Sequence, residues 1–496
     1  MLAETTSFTL EAITARTVRV EVDVQRGLPA FQIVGLPDTA VREARERVRA
    51  ALVNCGFEFP LRRITANLAP ADLRKVGPGL DLALAAALLG AAGEVPVDRI
   101  RDMAFAGELA LDGSVRPVRG ALAMAEAARA RGMAAIVLPP ANGPEAALAK
   151  GIEIRCIDSV SELRDIAGEG DFGRAPEAID LTVSEAGPDM SDLRGQPHLR
   201  ASMEVAAAGG HSLLMIGPPG SGKSLAARRL PSILPPLSGG EVLEVARIAG
   251  ACGASGYRIA SKRPFRAPHH TVSAAGLVGG GSPLRPGEIT LAHRGVLFLD
   301  ELCEFRRDAL EALREPLESG EVALSRANSR QVLPARIALV AAANPCPCGR
   351  GEDDPACECG TAAIRRYRGL LSGALADRID MIVAVAQPSA ESMAGAGGEA
   401  SKEIRGRVLN AREVMYARFG EGRTNASATA AEVAGFEVDD AAAELLSAAY
   451  RRHRMSGRAH DRVLRLARTL ADLESEGPIS ESHLARALQL RRRGDA

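Results

Sequence analysis

Eight consecutive residues, Gly217-Pro218-Pro219-Gly220-Ser221-Gly222-Lys223-Ser224, have the composition of a loop that cradles phosphate groups. The glycines let successive backbone N–H groups turn toward one anion, and a helix that follows adds the positive end of its dipole. Lys223 is then placed for the β- and γ-phosphates of a nucleotide and Ser224 for a Mg²⁺ ion. Such a loop needs a strand before it and a helix after it. The apolar run Ser212-Leu213-Leu214-Met215-Ile216 and the residues beyond Ser224 supply both. A chance glycine-rich turn would not carry the whole pattern.

Farther on, Gly295-Val296-Leu297-Phe298-Leu299-Asp300-Glu301 reads as a buried strand ending in two carboxylates. Asp300 would hold the metal, usually through water, and Glu301 would polarise the attacking water. Alone, the run could be a strand that ends in surface acids; behind a phosphate loop the two motifs support each other. A second strand, Ile337–Ala343, ends at Asn344, which could orient that water. Arg378 lies in Leu371-Ser372-Gly373-Ala374-Leu375-Ala376-Asp377-Arg378-Ile379-Asp380. A guanidinium is always charged and forks onto phosphate oxygens, so an arginine entering from a neighbouring subunit can stabilise a γ-phosphoryl in transfer. A lone arginine would otherwise be read as a surface ion pair.

Cys346-Pro347-Cys348 and Cys357-Glu358-Cys359 form two C-x-C pairs separated by the eight residues GRGEDDPA. Four thiolates so placed could hold a structural Zn²⁺, although C-x₂-C is the commoner spacing. The alternative is four loop cysteines without a metal. Cys55, Cys156, Cys252 and Cys303 are scattered singly, which suits buried thiols in a reducing compartment.

The elements that must position these groups can be traced along the 496 residues, a length that calls for two to four domains. Residues 1–167 mix alternating runs such as Thr17–Val24 with helical stretches at 38–53 and 119–131, an α+β unit. Residues 168–190, rich in Gly, Pro and acids, read as a linker. An α/β core is expected over 191–390, opened by a helix at about 191–208, and a helical lid over 391–496. A formal net charge of -1 gives no global pull toward nucleic acid, so DNA contact would rest on local basic clusters such as Arg451-Arg452-His453-Arg454 and Arg491-Arg492-Arg493. Those clusters are equally read as solvated faces. With no apolar run long enough for a membrane span and an acidic opening where a secretion signal would be basic, a cytoplasmic protein is expected.

The order GPPGSGKS, GVLFLDE, AAANPCPCG, LSGALADRID, together with PFRAPHHTVSAAGLVGGG at 264–281, resembles the Mg-chelatase-like branch of the AAA+ ATPases, and within it the YifB/ComM family. The resemblance implies an ATP- and Mg²⁺-dependent ATPase with Asn344 as sensor 1, Arg378 as arginine finger, and a sensor-2 arginine at Arg458, or next at Arg465. A finger that enters a neighbour's site implies a homo-oligomeric ring, taken as a hexamer. The resemblance also implies a DNA helicase or translocase driving branch migration of recombination intermediates in natural transformation. A Mg-chelatase ATPase subunit driving metal insertion fits the nucleotide motifs equally well, and a chaperone-like protein remodeller is the third reading. Gly/Pro-rich residues between Lys223 and Asp300 resemble an inserted hairpin facing the ring's pore, where Arg266, His269 and His270 could touch a polymer.

Residues 74–81 and 107–120 resemble the proteolytic domain of Lon, of S5-like fold. At the positions matching its serine nucleophile and lysine base stand Gly79 and Leu122, so the chemistry cannot run. The implied fold class is α/β: an AAA+ phosphate-loop core with a helical lid, preceded by an α+β Lon-protease-like domain kept as a structural or protein-binding module.

Overall fold

The computed structural model describes all residues except 169–171, 178–186, 254–261, 283, 327–328, 353, 372–377, 395–396, 476 and 492–496. Much of the expected linker, part of the segment around Arg378, and Arg492 and Arg493 therefore lie outside the described residues. The chain forms two compact units, each assembled from separated pieces of sequence. The first comprises Met1–Thr182, Gly239–Ala260 and Gly280–Pro286; the second comprises Val183–Ser238, Ser261–Gly279 and Gly287–Ala496.

The first unit is built on a seven-stranded mixed sheet in the order Ala30–Val34, Arg63–Ala69, Thr14–Gln25, Leu2–Glu11, Met103–Phe105, Ala135–Leu138, Glu153–Cys156. The alternation in the expected strand is visible as burial of Val18, Val20, Val22 and Val24 on one face. Helix Asp81–Ala92 is apolar nearly all round and is accordingly buried on every side. Its one charge, Asp81, sits in the first turn, where a carboxylate favours the helix dipole, and is fully buried. Arg47 grips it with Nε and Nη2 at 2.7 and 3.0 Å, and the Leu109 N–H donates to it at 3.2 Å.

Helix Gly239–Cys252 belongs to this first unit, although a continuous core over 191–390 is the sequence expectation. It turns Val242, Val245 and Ala246 inward, and Arg247 forks onto Glu126 of helix Ala121–Ala130 with both bonds at 2.9 Å. This helix occupies part of the interval between Lys223 and Asp300. A short pairing of Gly279–Gly280 with Arg285–Pro286 is present, and a longer antiparallel hairpin, Glu321–Arg326 with Ser329–Pro334, lies outside the interval.

The second unit holds a five-stranded parallel sheet in the order Phe265–Arg266, Val296–Leu299, Ala338–Ala343, Leu213–Ile216, Met381–Ala384. The helix expected from 191 begins at Pro197, because proline is suited to the first helical position and a glycine precedes it at 195; Met190–Asp192 forms a separate 3₁₀ turn. Helices Ser401–Phe419, Asp440–His453, Gly457–Leu473 and Glu481–Gln489 follow the sheet and share its apolar core. Among the described residues no helix is long and apolar enough to cross a membrane.

Arg47→Met would strand the buried Asp81 carboxylate without its partner, at a cost of about 3 kcal/mol. Hydrogen exchange over residues 81–92 of the full chain should speed up in that variant, and the Arg47→Met/Asp81→Leu pair should recover most of the protection. Equal exchange in the single and double variants would show that the ion pair does not hold this helix.

Candidate nucleotide site

Register brings the predicted groups to one edge. Leu213–Ile216 pairs with Ala338–Ala343 so that Ile216 faces Ala343, and the next residues, Gly217 and Asn344, leave the sheet side by side. On the other flank Leu299 faces Ala341, which carries Asp300 to the same end. Ligands in parallel sheets of this kind bind beyond the carboxyl ends of the strands.

Gly217 allows the loop to start close to the sheet: a Cβ there would lie 2.1 Å from the Val385 carbonyl oxygen. The loop then curls around Lys223, whose side chain is only 8% exposed and whose Nζ donates to the carbonyls of Gly217 and Pro218 at 2.6 and 2.9 Å. Asn344 Oδ1 approaches the same ammonium at 3.4 Å. Burial lowers the Lys223 pKa and the Asp300 charge opposes that shift. Ser224 Oγ donates to Asp300 Oδ2 at 2.7 Å. A hydroxyl and a carboxylate in contact are the hard oxygen donors that Mg²⁺ takes, and they fit that ion here.

Glu301 adopts a left-handed backbone (φ 52°), and its N–H donates to Asp300 Oδ1 at 3.0 Å. This conformation aims the two neighbouring carboxylates differently, so Asp300 meets Ser224 while Glu301 is exposed. His270 Nδ1 lies 3.3 Å from Glu301 Oε2, and its ring meets Phe305 edge-on. The His269 ring lies 4.1 Å from that of His270, tilted by 35°, but turns its Nδ1 to Thr271 Oγ1 at 2.9 Å. The two imidazoles therefore serve different partners. Arg266, expected beside a polymer, is forked onto Glu288 at 2.7 and 2.8 Å.

The remaining predicted arginines are more dispersed. Arg378 Nη2 pairs with Glu318 at 2.6 Å within the chain. Arg458 is exposed in the first turn of helix Gly457–Leu473. Arg465 is half-buried two turns later on that helix, with a buried Nε that has no hydrogen-bond partner among the described residues. Between them Arg462 reaches Asp380 at 3.5 Å, and Asp380 also accepts from Ser212 N and Oγ, both at 3.0 Å. Thr469 of the same helix bonds His211 Nε2 at 2.8 Å. This helix is thereby tied to the residues that open the phosphate-loop strand. No sign of these ties or of the contact between His270 and Glu301 is legible in the sequence, because single polar residues outside a motif carry no signal of their partners.

The sulfur atoms of Cys346, Cys348, Cys357 and Cys359 all lie within 4.8 Å of one another. Among the scattered cysteines, Cys156 and Cys303 are buried as expected, and burial pushes the Cys303 thiol up to about 11. Cys55 and Cys252 are only half-buried, Cys55 because its sulfur sits at the surface beside Ser159 Oγ, at 3.7 Å.

In the first unit a Cβ on Gly79 would stand 3.3 Å from Val118, and Leu122 is fully buried among apolar side chains. The buried amine of this unit, Lys75, donates to the Pro70 carbonyl.

Three family models match the chain: "Magnesium chelatase, subunit ChlI" over residues 189–393, "Subunit ChlI of Mg-chelatase" over 20–142 and "Magnesium chelatase, subunit ChlI C-terminal" over 398–491. An uncharacterized protein of Mycobacterium tuberculosis is 44% identical over 499 residues, covering 98% of each chain. YifB of Escherichia coli and the competence protein ComM of Haemophilus influenzae are each 39% identical, with 97% of this chain and 95% of theirs aligned. Lon protease 2 of Thermus thermophilus is 30% identical over 160 residues, which is 30% of this chain and 20% of that protein.

The contact of His270 with Glu301 gives a test of the site. His270→Ala should lower kcat for ATP hydrolysis about three- to tenfold and leave KM within about twofold, because His270 touches the carboxylate and not the phosphate loop. His270→Asn should recover part of the loss. An unaltered kcat would remove His270 from the reaction.

Proposed function

The chain belongs to the YifB/ComM family of Mg-chelatase-like AAA+ ATPases, and on that footing we propose that it is an ATP-driven ring motor acting on DNA. The observation that carries the ATPase reading is the convergence of Lys223, Ser224, Asp300 and Asn344 at one sheet edge, with Glu301 beside Asp300. In this reading the loop N–H groups and Lys223 hold the phosphates, and bound Mg²⁺, held by Ser224 and Asp300, would neutralise charge on the β- and γ-phosphate oxygens. Glu301 takes a proton from the attacking water, and Asn344 orients that water. Arg378 acts in the next subunit's site, exchanging Glu318 for a γ-phosphate, and the ring is a hexamer. Arg458 serves as the sensor-2 arginine, with Arg465 as its alternative on the same helix.

DNA is favoured as the polymer by the family and by the competence protein among the relatives. Exposed Arg451, Arg452 and Arg454, and the exposed Arg330 of the antiparallel hairpin, supply local positive charge on a nearly neutral chain. The activity proposed is helicase or branch migration work on recombination intermediates in the cytoplasm, with the protease-like first unit as a protein-binding module. The ChlI models favour a second reading, an ATPase subunit for metal insertion. It ranks lower because the relatives aligned over nearly their full length are YifB and ComM.

ATPase rates measured with single-stranded DNA, with a four-way junction and without nucleic acid separate the readings. Stimulation by DNA and movement of the junction are expected; DNA-independent hydrolysis with an unmoved junction would overturn the DNA reading. Lys223→Ala should lose nucleotide binding, whereas Glu301→Gln should bind ATP and hydrolyse it about 10²-fold more slowly.

Arg378→Ala should also hydrolyse slowly, and mixing it with Lys223→Ala protein should restore part of the rate, since each supplies what the other's site lacks. Full activity of Arg378→Ala alone would sink the finger assignment.

A further inference from the structure

The four clustered cysteines are not used by the ATPase chemistry, yet they sit beside it. The sulfur of Cys346 is 3.3 Å from that of Cys348 and 3.8 Å from that of Cys357, and Cys348 to Cys357 is 3.6 Å. Cys359 completes the group, with all four sulfurs inside 4.8 Å. A disulfide would need about 2.05 Å, and all four are free thiols. A tetrahedral Zn²⁺ with bonds of about 2.3 Å spaces its sulfurs by about 3.8 Å. The 3.8 and 3.6 Å separations lie near that spacing, and the 3.3 Å one is shorter.

The loop has the local support such a site requires. The Gly351 N–H donates to Cys346 Sγ at 3.2 Å, a bond that steadies a thiolate ligand. Gly349 N–H closes a turn onto the Cys346 carbonyl at 2.9 Å, and Cys357 N–H closes another onto the Asp354 carbonyl, also at 2.9 Å. One cysteine of each pair, Cys346 and Cys357, is thereby held in a tight turn.

One of those turns lies on the phosphate loop. Gly349 is buried, has φ +85°, and approaches Pro219 so closely that a Cβ would lie 2.9 Å from both Cγ and Cδ of the proline ring. The same Cβ would be 3.8 Å from Asn344 Nδ2. No side chain intervenes between the cysteine turn and the loop.

We propose that Cys346, Cys348, Cys357 and Cys359 bind a structural Zn²⁺, and that the ion braces the Gly349 turn against Pro219 so that the phosphate loop keeps its nucleotide-binding shape. Binding replaces the four S–H bonds by four Zn–S bonds and releases four protons to solvent. Loss of the ion by chelation releases the turn and weakens nucleotide binding. The second half rests on the nucleotide-site reading; the metal half does not.

The test uses the full chain purified without chelator. Elemental analysis should find about one zinc per chain, and titration with a fluorescent ATP analogue gives the affinity. Cys357→Ser/Cys359→Ser should lose the zinc and bind the analogue about tenfold more weakly, which corresponds to about 1.4 kcal/mol. Gly349→Ala should keep its zinc and weaken the analogue similarly, because alanine is strained at this φ and cannot approach Pro219. The alanine variant also guards against a cysteine double variant that does not fold. Zinc far below one per chain in the wild type overturns the metal site. Unchanged affinity in Gly349→Ala overturns the brace. Wild-type protein that holds zinc but binds no analogue overturns the nucleotide reading alone.

Discussion

The buried ammonium of Lys223 is the constraint around which the nucleotide site is arranged. A charge taken out of water must be met by polar groups, and here the carbonyls of Gly217 and Pro218 and the side chain of Asn344 meet it. Bonds from an ammonium to a phosphate oxygen are roughly twice as strong as bonds between neutral groups, so a phosphate can displace these partners. Register then becomes decisive. Gly217, Asn344 and Asp300 follow strands paired in parallel, and a slip of one residue would turn their side chains to the other face. The apolar strands are therefore part of the chemistry, since their burial holds that register.

Where the resemblance to a Lon proteolytic domain would place a serine and a lysine, the first unit carries Gly79 and Leu122. Gly79 has no nucleophile, and Leu122 occupies an apolar cluster in which an amine would have to be desolvated. The surface near that cluster is used instead to seat helix Gly239–Cys252, whose Arg247 forks onto Glu126 and whose Gly250 carbonyl accepts the N–H of Gly120. This helix follows the phosphate-loop helix in sequence, after Ile233, so a piece of chain that starts beside the nucleotide loop ends inside the protease-like unit.

Much of this was legible from residues alone, for a physical reason. The phosphate loop, the acidic strand end and Asn344 sit at strand ends, and strand ends are marked by apolar runs whose burial the sequence encodes directly. The strand of the phosphate loop and the strand before Asn344 are found at Leu213–Ile216 and Ala338–Ala343, each within a residue of the expected start. The helix Gly239–Cys252 was not legible, because its inward face answers to a partner surface more than a hundred residues earlier in the chain. The role given to His270 also shifted. As one of two adjacent histidines in a Gly/Pro-rich stretch it reads as a contact to a polymer, and only the left-handed turn at Glu301 brings the carboxylate to it.

His270 and Gly349 illustrate the same limit from opposite sides. One contacts the catalytic candidate Glu301 through a polar side chain; the other contacts Pro219 through the absence of one. Neither residue type is unusual in a loop, so composition and spacing pass over both. What gives each its place is a close approach between two short segments, and such approaches depend on how the flanking elements are anchored. The strand Val296–Leu299 anchors Glu301, and the cysteine turns anchor Gly349. A site assembled this way can keep its motif residues unchanged and still be tuned by the segments that press on them.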